Sequence, residues 1–574
     1  MRNGEIAEAF EELASLYELD GAVVYRVVAY RNAAKAIREA GVSVAELARQ
    51  GRAEELNGIG KTIADKIATL LDTGSIPSTD KLKKKIPSGL IEVTRIPGFG
   101  PKRARLLHDE LGITSLDDLR RAVEDGSIRD VRGFGPKAQE NLTVALAAGA
   151  DGRAKPRVLL SKALAVGEEL VATLRDHPAA LRVELAGSAR RMADTCKDLD
   201  VVAAASDPAA LVEAFEGLEA IDQVHSSGEA GARAVTHSGL PVDLRIVPEE
   251  SFGNLLQHFT GSGKHNEALR TEAVRRGLHV SEYGVADDES GQTRTFAEEQ
   301  EVYAALGLGY IEPELRENRG ELEAAREGKL PDLVTQDDIR GDLHMHTIAS
   351  DGRNTIEEMA ETARGIGYEY VAITDHSASH GFNNDVQPDE LKRQIEHIRG
   401  LELDGITVLA GTESNVLPDG SLDYDDDLLE ELDWVVASVH TSFRMPEEQM
   451  TDRMIAAIEH PLTDAIGHPT GRMLGRREGY SLDIDRVIEA AARTGTFLEI
   501  NSNANRRDLP DVYARAAAEA GVTLVIDSDA HGVDTLPRMM RYGVATARRA
   551  WLSADRVANT RSWPELDRLR KRAR

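Results

Sequence analysis

Cysteine and long apolar runs are scarce in this sequence. Cys196 is the single cysteine among 574 residues, so the chain forms no internal disulfide, which fits a reducing cytosol. No apolar run approaches the length that spans a bilayer, and no signal peptide opens the chain. We therefore expect a soluble cytoplasmic protein with no membrane partner, long enough for roughly four domains.

Positive charge and aromatic residues are also in short supply. Lysine and arginine number 69 against 98 aspartate and glutamate residues, the formal net charge is −29, and 4% of the residues are aromatic. This excess of acid is unusual for a protein with an anionic partner, because phosphates attract lysine and arginine. The composition resembles that of proteins working in concentrated salt, where screening removes most long-range repulsion. We therefore hypothesise that the protein is halophilic.

Two carboxylates alternate along a predicted strand in the sequence DLDVV, namely Asp198 and Asp200. A strand places residues two apart on one face, and adjacent carboxylates repel each other unless cations lie between them. Asp243, on a further predicted strand, would complete a cradle of three carboxylates for two Mg²⁺ or Mn²⁺ ions. A solvated acidic strand is the alternative for the pair alone.

A glycine-serine turn precedes this pair. Gly187 lets the backbone approach a ligand closely, and Ser188 with Arg190 or Arg191 can bind phosphates. A phosphate-binding turn followed by a metal cradle indicates nucleotidyl transfer. The turn and the three aspartates resemble the palm of the nucleotidyltransferases, specifically that of the family X DNA polymerases.

The segment SFGNLLQHFTGSGKHNEALR is similar to the nucleotide-binding segment of the same family. The resemblance implies contacts with the nucleotide sugar for Phe259, Thr260 and Gly261, and with the nascent base pair for Asn266 and Arg270. His258 stands where well-studied eukaryotic members have tyrosine. The selection of deoxyribose over ribose is therefore left open.

Apolar residues recur at helical spacing near the amino terminus, for example Ile6, Phe10 and Leu13. A glycine–apolar–glycine turn that opens a helix occurs three times before residue 142. Free amides at such a turn can hold a DNA phosphate without side-chain charge, and the repetition is typical of helix-hairpin-helix modules. The glycines are Gly58, Gly60, Gly98, Gly100, Gly133 and Gly135.

Basic residues accompany these turns. Lys102 belongs to the one concentrated basic region of the chain, 81–105, for which a solvated helix face is the alternative. The strings AYRNAA and GIGKTIADKI resemble the lyase domain of polymerase β-like enzymes, in which a lysine forms a Schiff base with an abasic sugar. Lys66 occupies the matching position, and a purely structural lysine is the alternative.

From Ile339 onward short apolar runs alternate with helical stretches, which is the rhythm of a (β/α) barrel. Histidines and acids fall at or just beyond the carboxyl ends of the apolar runs, where such barrels build active sites. One histidine there is more often a surface or core residue, but nine such side chains indicate a metal centre. The candidates are His344, His346, Asp351, His376, Glu413, His440, His468, Asp529 and His531.

Mixed imidazole and carboxylate ligands suit Zn²⁺, Mn²⁺ or Fe²⁺, and nine are too many for one ion. Two or three ions that activate water and neutralise a phosphoryl group catalyse phosphoester hydrolysis. This half resembles the PHP (polymerase and histidinol phosphatase) family, which implies a distorted seven-stranded barrel and a trinuclear site with every ligand position filled. Arg472 would bind substrate phosphate or be a surface arginine.

The order of these features is that of the prokaryotic family X DNA polymerases with a C-terminal PHP domain. We expect a multidomain α and α/β protein with helical hairpin domains, a nucleotidyltransferase palm and thumb, and a distorted (β/α)7 barrel. The expected domains are 1–85 (lyase-like, with a helix-hairpin-helix), 86–153 (second hairpin, or fingers), 154–250 (palm), 251–318 (thumb), 319–338 (linker) and 339–574 (PHP).

The resemblance implies a monomeric repair polymerase that uses dNTPs to fill gapped or nicked DNA. It also implies a PHP 3′-5′ exonuclease or phosphoesterase, with cleavage at abasic sites as a further activity. Two other functions fit the sequence. In one the protein is mainly a nuclease that processes DNA ends and has a weak palm, and in the other the barrel is a small-molecule phosphatase fused to a polymerase.

Overall fold

The computed structural model describes residues 1–22, 24–94, 101–135, 157–381 and 385–573, with residues 139, 142, 143 and 146. The chain divides into two compact units. The amino-terminal unit comprises 1–158, 165–185 and 197–249, and the carboxy-terminal unit comprises 159–164, 186–196 and 250–574. The predicted palm therefore contributes to both units. None of the helices in the described ranges is long and apolar enough to cross a membrane.

The amino-terminal unit begins with short helices. Their bounds are α1 Asn3–Leu19, α2 Val24–Glu39, α3 Val44–Arg49, α4 Lys61–Thr73, α5 Pro77–Lys83, α6 Ser88–Thr94, α7 Pro101–Leu111 and α8 Leu116–Glu124. Spacing by three and four places Ile6, Phe10 and Leu13 on one buried face of α1, which packs against α2. Ser43 and Ser115 begin α3 and α8 by accepting hydrogen bonds from backbone amides in the first turn.

The predicted palm contains a mixed five-stranded sheet. The chain forms β1 Val158–Leu159, α9 Leu160–Arg175, β2 Ala180–Leu185, α10 Gly187–Arg190, β3 Thr195–Cys196, β4 Leu199–Ala205, α11 Pro208–Glu216, β5 Ile221–Gly228, β6 Gly231–Thr236 and β7 Pro241–Val247. The sheet order is β2-β4-β7-β6-β5, with β4 and β7 parallel and the other neighbours antiparallel. Strand β4 is buried from Val201 to Ala204, as the apolar run of a central strand requires.

The predicted thumb lies in the carboxy-terminal unit. It forms α12 Phe252–Thr260, α13 Gly263–Val274, β8 Leu278–Ser281, β9 Gly284–Asp287, β10 Thr293–Arg294, α14 Glu299–Ala305 and α15 Glu321–Glu327. Leu269, Val302 and Leu306 lie in its apolar core. We expected a helix and then a linker in segment 319–338, and this segment contains α15. Its later part is hydrogen-bonded to the barrel chain, because the Val334 amide donates to the Leu552 carbonyl at 2.9 Å.

The remaining chain builds a parallel barrel. Its strands are β11 Gly341–Asp342, β12 Tyr370–Ile373, β13 Thr407–Asn415, β14 Trp434–Ser438, β15 Ala465–Ile466, β16 Phe497–Asn501 and β17 Leu524–Asp527. Its helices are α16 Ile356–Ile366, α17 Pro388–Arg399, α18 Asp426–Leu429, α19 Glu447–Glu459, α20 Ile484–Thr494, α21 Asp511–Glu519 and α22 Leu536–Arg549. The seven strands pair in sequence order, and a parallel bridge between Met345 and Ala530 nearly closes the barrel. The predicted distorted (β/α)7 architecture is confirmed.

The last described segment packs into the barrel interior. Helix α23, Trp563–Asp567, places Leu566 in one apolar cluster with Trp434 and Phe497. Beyond it, Arg572 Nη2 lies 2.6 Å from a carboxyl oxygen of the buried Asp464. The charged segment can pack against the barrel core because the buried carboxylate of Asp464 pairs with the guanidinium of Arg572.

Candidate functional site

The nine predicted ligands of the barrel lie together at the carboxyl ends of its strands. Short parallel strands joined by helices bring these ends to one edge of the barrel. Only Asp351 lies further along a loop, after β11. The other residues and the strands they end or follow are His344 and His346 with β11, His376 with β12, Glu413 with β13, His440 with β14, His468 with β15, and Asp529 and His531 with β17.

Glu413 lies at the middle of the cluster. Its Oε2 is 2.8 Å from His376 Nδ1 and 3.3 Å from His344 Nε2. Its Oε1 is 2.9 Å from His468 Nε2 and 3.2 Å from His440 Nε2. Burial raises the pKa of this carboxyl, but the neighbouring histidines outweigh burial and lower the pKa well below its usual range. A carboxylate that faces imidazoles through both oxygens would fit a site that holds more than one metal ion.

A second group of ligands surrounds the other two acids. Asp529 Oδ1 lies 3.3 Å from His346 Nε2. Asp351 Oδ1 lies 3.3 Å from His531 Nε2 and 3.5 Å from His376 Nε2. His376 therefore faces Asp351 through one ring nitrogen and Glu413 through the other, so the two groups of ligands are contiguous.

The ligand atoms satisfy the requirements of a metal centre. Both side-chain oxygens of Glu413 and both ring nitrogens of His346 and His440 are buried without a hydrogen-bond partner. Such atoms are unfavourable in a protein interior unless a ligand satisfies them. Within the described ranges, the groups of three or more possible ligand atoms that lie within 4.8 Å of one another all consist of these residues, with His380 as an additional member of one group. The residues fit two or three divalent cations.

Two further side chains contact the cluster and were missed at the level of sequence. Glu499 Oε1 lies 2.6 Å from His344 Nδ1, and its other oxygen accepts a hydrogen bond from the His468 amide. A carboxylate on the far nitrogen of a ligand histidine fixes its tautomer and orientation. His380 stacks on His376 with ring centroids 3.7 Å apart. The signal for Glu499 was a single acid inside the apolar run FLEIN, whereas His380 follows no strand pattern.

Two arginines near the cluster differ in what they face. Arg506 Nε lies 3.5 Å from Asp529 Oδ2, beside the ligands. Burial lowers the pKa of this guanidinium, but Asp529 and Glu413 outweigh burial and raise it. Arg472, considered above for substrate phosphate, directs Nη1 to Asp194 at 3.0 Å. Arg506 is thus a cation beside the predicted metal ligands, whereas Arg472 faces Asp194.

The palm aspartates lie at the starts of adjacent strands in the amino-terminal unit. The parallel register pairs Asp200 of β4 with Asp243 of β7, and Asp198 immediately precedes β4. Asp198 and Asp200 flank the buried Leu199 and are partly exposed. Arg233 Nε donates to Asp243 Oδ1 at 2.9 Å. Arg245 Nη2 lies 4.0 Å from the same oxygen. Three carboxylates and two guanidiniums leave a small excess of negative charge that divalent cations would offset.

The glycine-serine turn lies in the carboxy-terminal unit. Gly187 opens α10 with a φ of 61°, a left-handed conformation that favours glycine, and Ser188 follows it. Arg190 Nη1 donates to the Thr260 hydroxyl and Arg191 Nη1 to the Thr260 carbonyl, both at 2.8 Å. The structure thus joins the turn to the predicted sugar-contacting segment.

Acids orient both arginines of the turn. Arg190 makes a two-pronged pair with Glu299, at 2.9 and 2.7 Å, and Arg191 Nε donates to Glu317 at 3.0 Å. Burial raises the pKa of Glu299, but Arg316 and Arg190 outweigh burial and lower it to about 2. Both guanidiniums are therefore held in place by acids of the thumb segment.

Asn266 braces the junction of α12 and α13. Its Nδ2 donates to the carbonyls of His258 at 2.6 Å and Gly261 at 3.2 Å. A Cβ at Gly261 would lie 2.4 Å from Asn266 Oδ1, so this junction requires glycine. Phe259 is half-buried and Arg270 exposed. Burial lowers the pKa of His258, which keeps its ring neutral at neutral pH.

The described hairpin glycines present open turns. Gly58 and Gly133 have φ values of 90° and 92°, and Gly60 precedes the first residue of α4. All four of Gly58, Gly60, Gly133 and Gly135 are exposed, and a Cβ at Gly60 or Gly135 would meet nothing within 4 Å. A phosphate can therefore reach the backbone amides at these turns.

The other residues predicted for the helical region differ in what the structure describes. Lys102 lies exposed in the first turn of α7. Gly98 and Gly100 lie outside the described residues. Lys66 lies in α4, and its Nζ donates to Ser78 Oγ at 3.2 Å. The lysine predicted for Schiff-base chemistry thus has a neutral partner.

Four family models match the chain. A helix-hairpin-helix domain matches residues 1–76 and a SAM-like helix-hairpin-helix tandem matches 90–148. The DNA polymerase beta thumb matches 255–317, and the PHP domain matches 342–503. The helix-hairpin-helix domains, the polymerase thumb and the PHP domain expected from the sequence are therefore present in the expected order.

Relatives match the whole chain or its barrel. The chain is 38% identical over 576 residues to the "DNA polymerase/3'-5' exonuclease PolX" of Bacillus subtilis, covering 100% of both proteins. It is 36% identical over 202 residues to a "probable phosphatase" of Caldanaerobacter subterraneus, covering 33% of this chain and 75% of that protein. A "probable phosphatase" of Acetivibrio thermocellus is 33% identical over 207 residues, covering 33% of this chain and 78% of that protein.

Proposed function

The chain belongs to the family X DNA polymerases that carry a PHP domain, and we propose that it fills DNA gaps and trims 3′ ends. One observation carries this proposal. The similarity to a polymerase and exonuclease runs over the full length, and it includes a barrel whose buried ligand atoms lack partners. Trimming a mismatched or damaged 3′ end before extension requires both activities. The substrates are gapped or nicked DNA and dNTPs, and the protein acts as a cytoplasmic monomer.

Two metal sites are part of the proposal. Asp198, Asp200 and Asp243 hold two Mg²⁺ or Mn²⁺ ions, and the barrel cluster holds two or three Zn²⁺, Mn²⁺ or Fe²⁺ ions. Bound divalent cations supply activation of the attacking oxygen and neutralisation of phosphoryl charge. Arg233 partly neutralises Asp243, because its guanidinium donates a hydrogen bond to one of the carboxylate oxygens.

The chain's own groups bind the nucleotide in this proposal. Ser188 and the backbone amides of its turn bind the triphosphate. Arg190 and Arg191, which are paired with Glu299 and Glu317, hold the turn against Thr260. The segment Phe259 to Gly261 borders the sugar, and Asn266 and Arg270 lie toward the nascent base pair. The neutral ring of His258 beside this segment favours a contact with the sugar edge. A glycine turn at Gly60 or Gly135 would hold the DNA backbone.

The barrel residues orient a 3′-terminal phosphodiester for hydrolysis. Arg506 binds the non-bridging oxygens of the phosphate, because it is the cation beside Asp529. Glu499 fixes the tautomer of His344 and accepts a hydrogen bond from the His468 amide. It therefore links the ends of β11 and β15, which these two histidines follow. The burial of Glu413 excludes bulk water from the middle of the cluster.

A time course on a 5′-labelled primer in a one-nucleotide gap tests both halves. The reactions contain Mn²⁺ and are run with and without dNTPs. Extension with dNTPs and stepwise shortening without them are expected. Shortening alone would favour a nuclease whose palm is weak, and extension alone by metal-loaded protein would assign the barrel another substrate.

Small-molecule phosphatase activity is the second candidate for the barrel. The observation in its favour is the 33–36% identity between the barrel and proteins named as probable phosphatases. Turnover of histidinol phosphate, compared with release of nucleotides from DNA ends, separates the two functions. Hydrolysis of the small phosphate without any shortening of DNA would favour this candidate.

Lyase activity at Lys66 is a further hypothesis. Its amine would need to lose its proton to attack an abasic sugar, and its partner Ser78 is neutral. Borohydride trapping on abasic DNA tests it. A covalent complex with the full chain that is lost in Lys66→Ala would support lyase chemistry, whereas equal trapping would assign Lys66 a structural role.

A further inference from the structure

The turn that follows Gly187 and Ser188 has little regular structure of its own. Helix α10 is only four residues long, and Met192 adopts a positive φ of 53°. The Ala193 amide donates to the Ser188 carbonyl at 3.0 Å, so the end of the turn determines where Ser188 lies. A short segment of this kind depends on side chains outside it for a fixed position.

Two arginines of the barrel bind the end of this turn. Arg507 Nη1 lies 3.1 Å from Asp194 Oδ1, and Arg472 Nη1 lies 3.0 Å from Asp194 Oδ2. Arg507 Nη1 also donates to the Met192 carbonyl at 2.9 Å. Each oxygen of one carboxylate therefore has its own guanidinium, and the adjacent backbone has a donor as well.

Arg507 makes this contact from a buried position and with an unfavourable backbone conformation. Its side chain is fully buried, its φ is 48°, and its Nε donates to Thr546 Oγ1 at 3.0 Å. A buried guanidinium is unfavourable unless an acid pairs with it, and among the described residues Asp194 is the acid within ion-pair distance. Arg472 Nε donates to the Arg506 carbonyl at 2.9 Å, and its Nη2 donates to the Arg507 carbonyl. The two arginines are thus built as one rigid clamp.

A third barrel arginine holds the other end of the same segment. Arg549 Nη1 donates to the Arg191 carbonyl at 2.9 Å and to Glu317 Oε1 at 3.0 Å. Its Nε donates to Asp511 Oδ2 at 3.0 Å. Because Glu317 also binds the Arg191 side chain, the barrel holds residues 191–194 at both ends.

We propose that Arg507 and Arg472 are positioning residues for nucleotidyl transfer, acting through Asp194 on the turn that carries Ser188. The inference rests on the proposed role of that turn in binding the triphosphate. Groups that bind a reacting phosphate must be held within a fraction of an ångström, and a small displacement weakens them strongly. The barrel therefore has a second task beside its own hydrolysis, which is to hold the polymerase's nucleotide-binding turn in place.

The test compares D194N, R507Q, R472Q and the double variant D194N/R507Q in the full chain. For each, KM and kcat for dNTP in gap filling are measured beside the rate of primer shortening. We expect D194N to raise KM for dNTP about tenfold while kcat changes less and shortening is unchanged. R507K should recover part of the loss caused by R507Q. The losses in the double variant should be less than additive, because both single variants remove the same pair between Arg507 and Asp194.

The matched control is R493Q, which removes an exposed arginine of α20 that pairs with Glu459. It should leave KM, kcat and shortening at the wild-type values. If R507Q does not fold, D194N decides, because it leaves every barrel residue intact. An unchanged KM in D194N, or equal losses in extension and shortening, would overturn the positioning role. Absence of extension in the wild-type protein would instead reject the proposed function itself.

Discussion

Asp200 and Asp243 are direct neighbours on the two parallel strands of the palm sheet. The register pairs them across β4 and β7, and Asp198 immediately precedes β4. Strand β4 buries a continuous apolar run from Val201 to Ala204 and β7 buries Leu244 and Ile246, so the acids lie where the buried part of the sheet begins. Arg233 supplies part of the counter-charge that adjacent carboxylates require, and divalent cations would supply the rest.

Asp200→Asn should abolish gap filling and spare primer shortening. The substitution keeps the shape of the side chain and removes one of the charges that would hold the divalent ions. The loss should exceed the about 10–100-fold that removal of a group outside the ligand set produces. Extension and shortening are measured on the same labelled primer. Asp222→Asn on β5 is the control, and a parallel loss of shortening would contradict separate sites.

Glu499→Gln should weaken metal retention in the barrel. Glutamine occupies the same volume but no longer carries the charge that orients His344. Loss of such an outer carboxylate lowers metal affinity about 10–100-fold. Metal content after dialysis against a chelator gives the answer. The exposed Glu489→Gln is the control, and equal metal content in both variants would show that Glu499 does not support the centre.

The ion pair of Glu299 should make the stability of the thumb segment depend on pH in the acid range. The folded-state pKa of about 2 lies below the ordinary value of 4.5, because Arg316 and Arg190 outweigh burial. A depressed carboxyl pKa stabilises the fold fully above the unfolded pKa, and this contribution is lost as pH falls from 4.5 towards 2. The difference amounts to on the order of 3 kcal/mol.

Glu299→Gln tests this pH dependence. Urea unfolding of wild type and variant is compared between pH 7 and pH ~3, the range that covers the onset of the loss. The difference in unfolding free energy should be largest at neutral pH and shrink as pH falls. The exposed Glu267→Gln should show no such trend. A difference that stays constant across the range would mean that Glu299 contributes by packing and not by charge.

Salt should support activity rather than suppress it. The net charge of −29 repels DNA at long range, and ions at ~1 M shorten the Debye length to about 3 Å. Gap filling and shortening are measured at KCl concentrations from ~0.1 M to ~2 M. We expect both activities to persist at molar salt. A maximum at low salt with collapse at molar salt would reject the halophilic hypothesis.

The features that were predictable from sequence are local ones. The ligand histidines end or follow apolar runs, and parallel strands bring such ends together, so His344 and His468 meet although 124 positions separate them. The glycine turn at Gly58 and Gly60 can be recognised from these two glycines and the helical sequence that follows them. The barrel followed from the same alternation of strand and helix, and its seven strands from the resemblance to the PHP family.

The features that escaped the sequence depend on pairs of distant residues. Arg190 and Glu299 form an ion pair although they are 109 positions apart, and neither carries a local sign of the other. Arg472 was considered for substrate phosphate because it follows a ligand histidine, yet its guanidinium lies on Asp194. Periodicity reports which face of an element is buried, but not which charged side chain of another element meets it there.

The contacts between barrel arginines and residues 191–194 bear on what a shortened gene would encode. A gene shortened at codon 338 would leave Asp194 and Glu317 without Arg507 and Arg549, which bind them here. A truncating mutation in the barrel would therefore also remove side chains that bind the segment following Ser188.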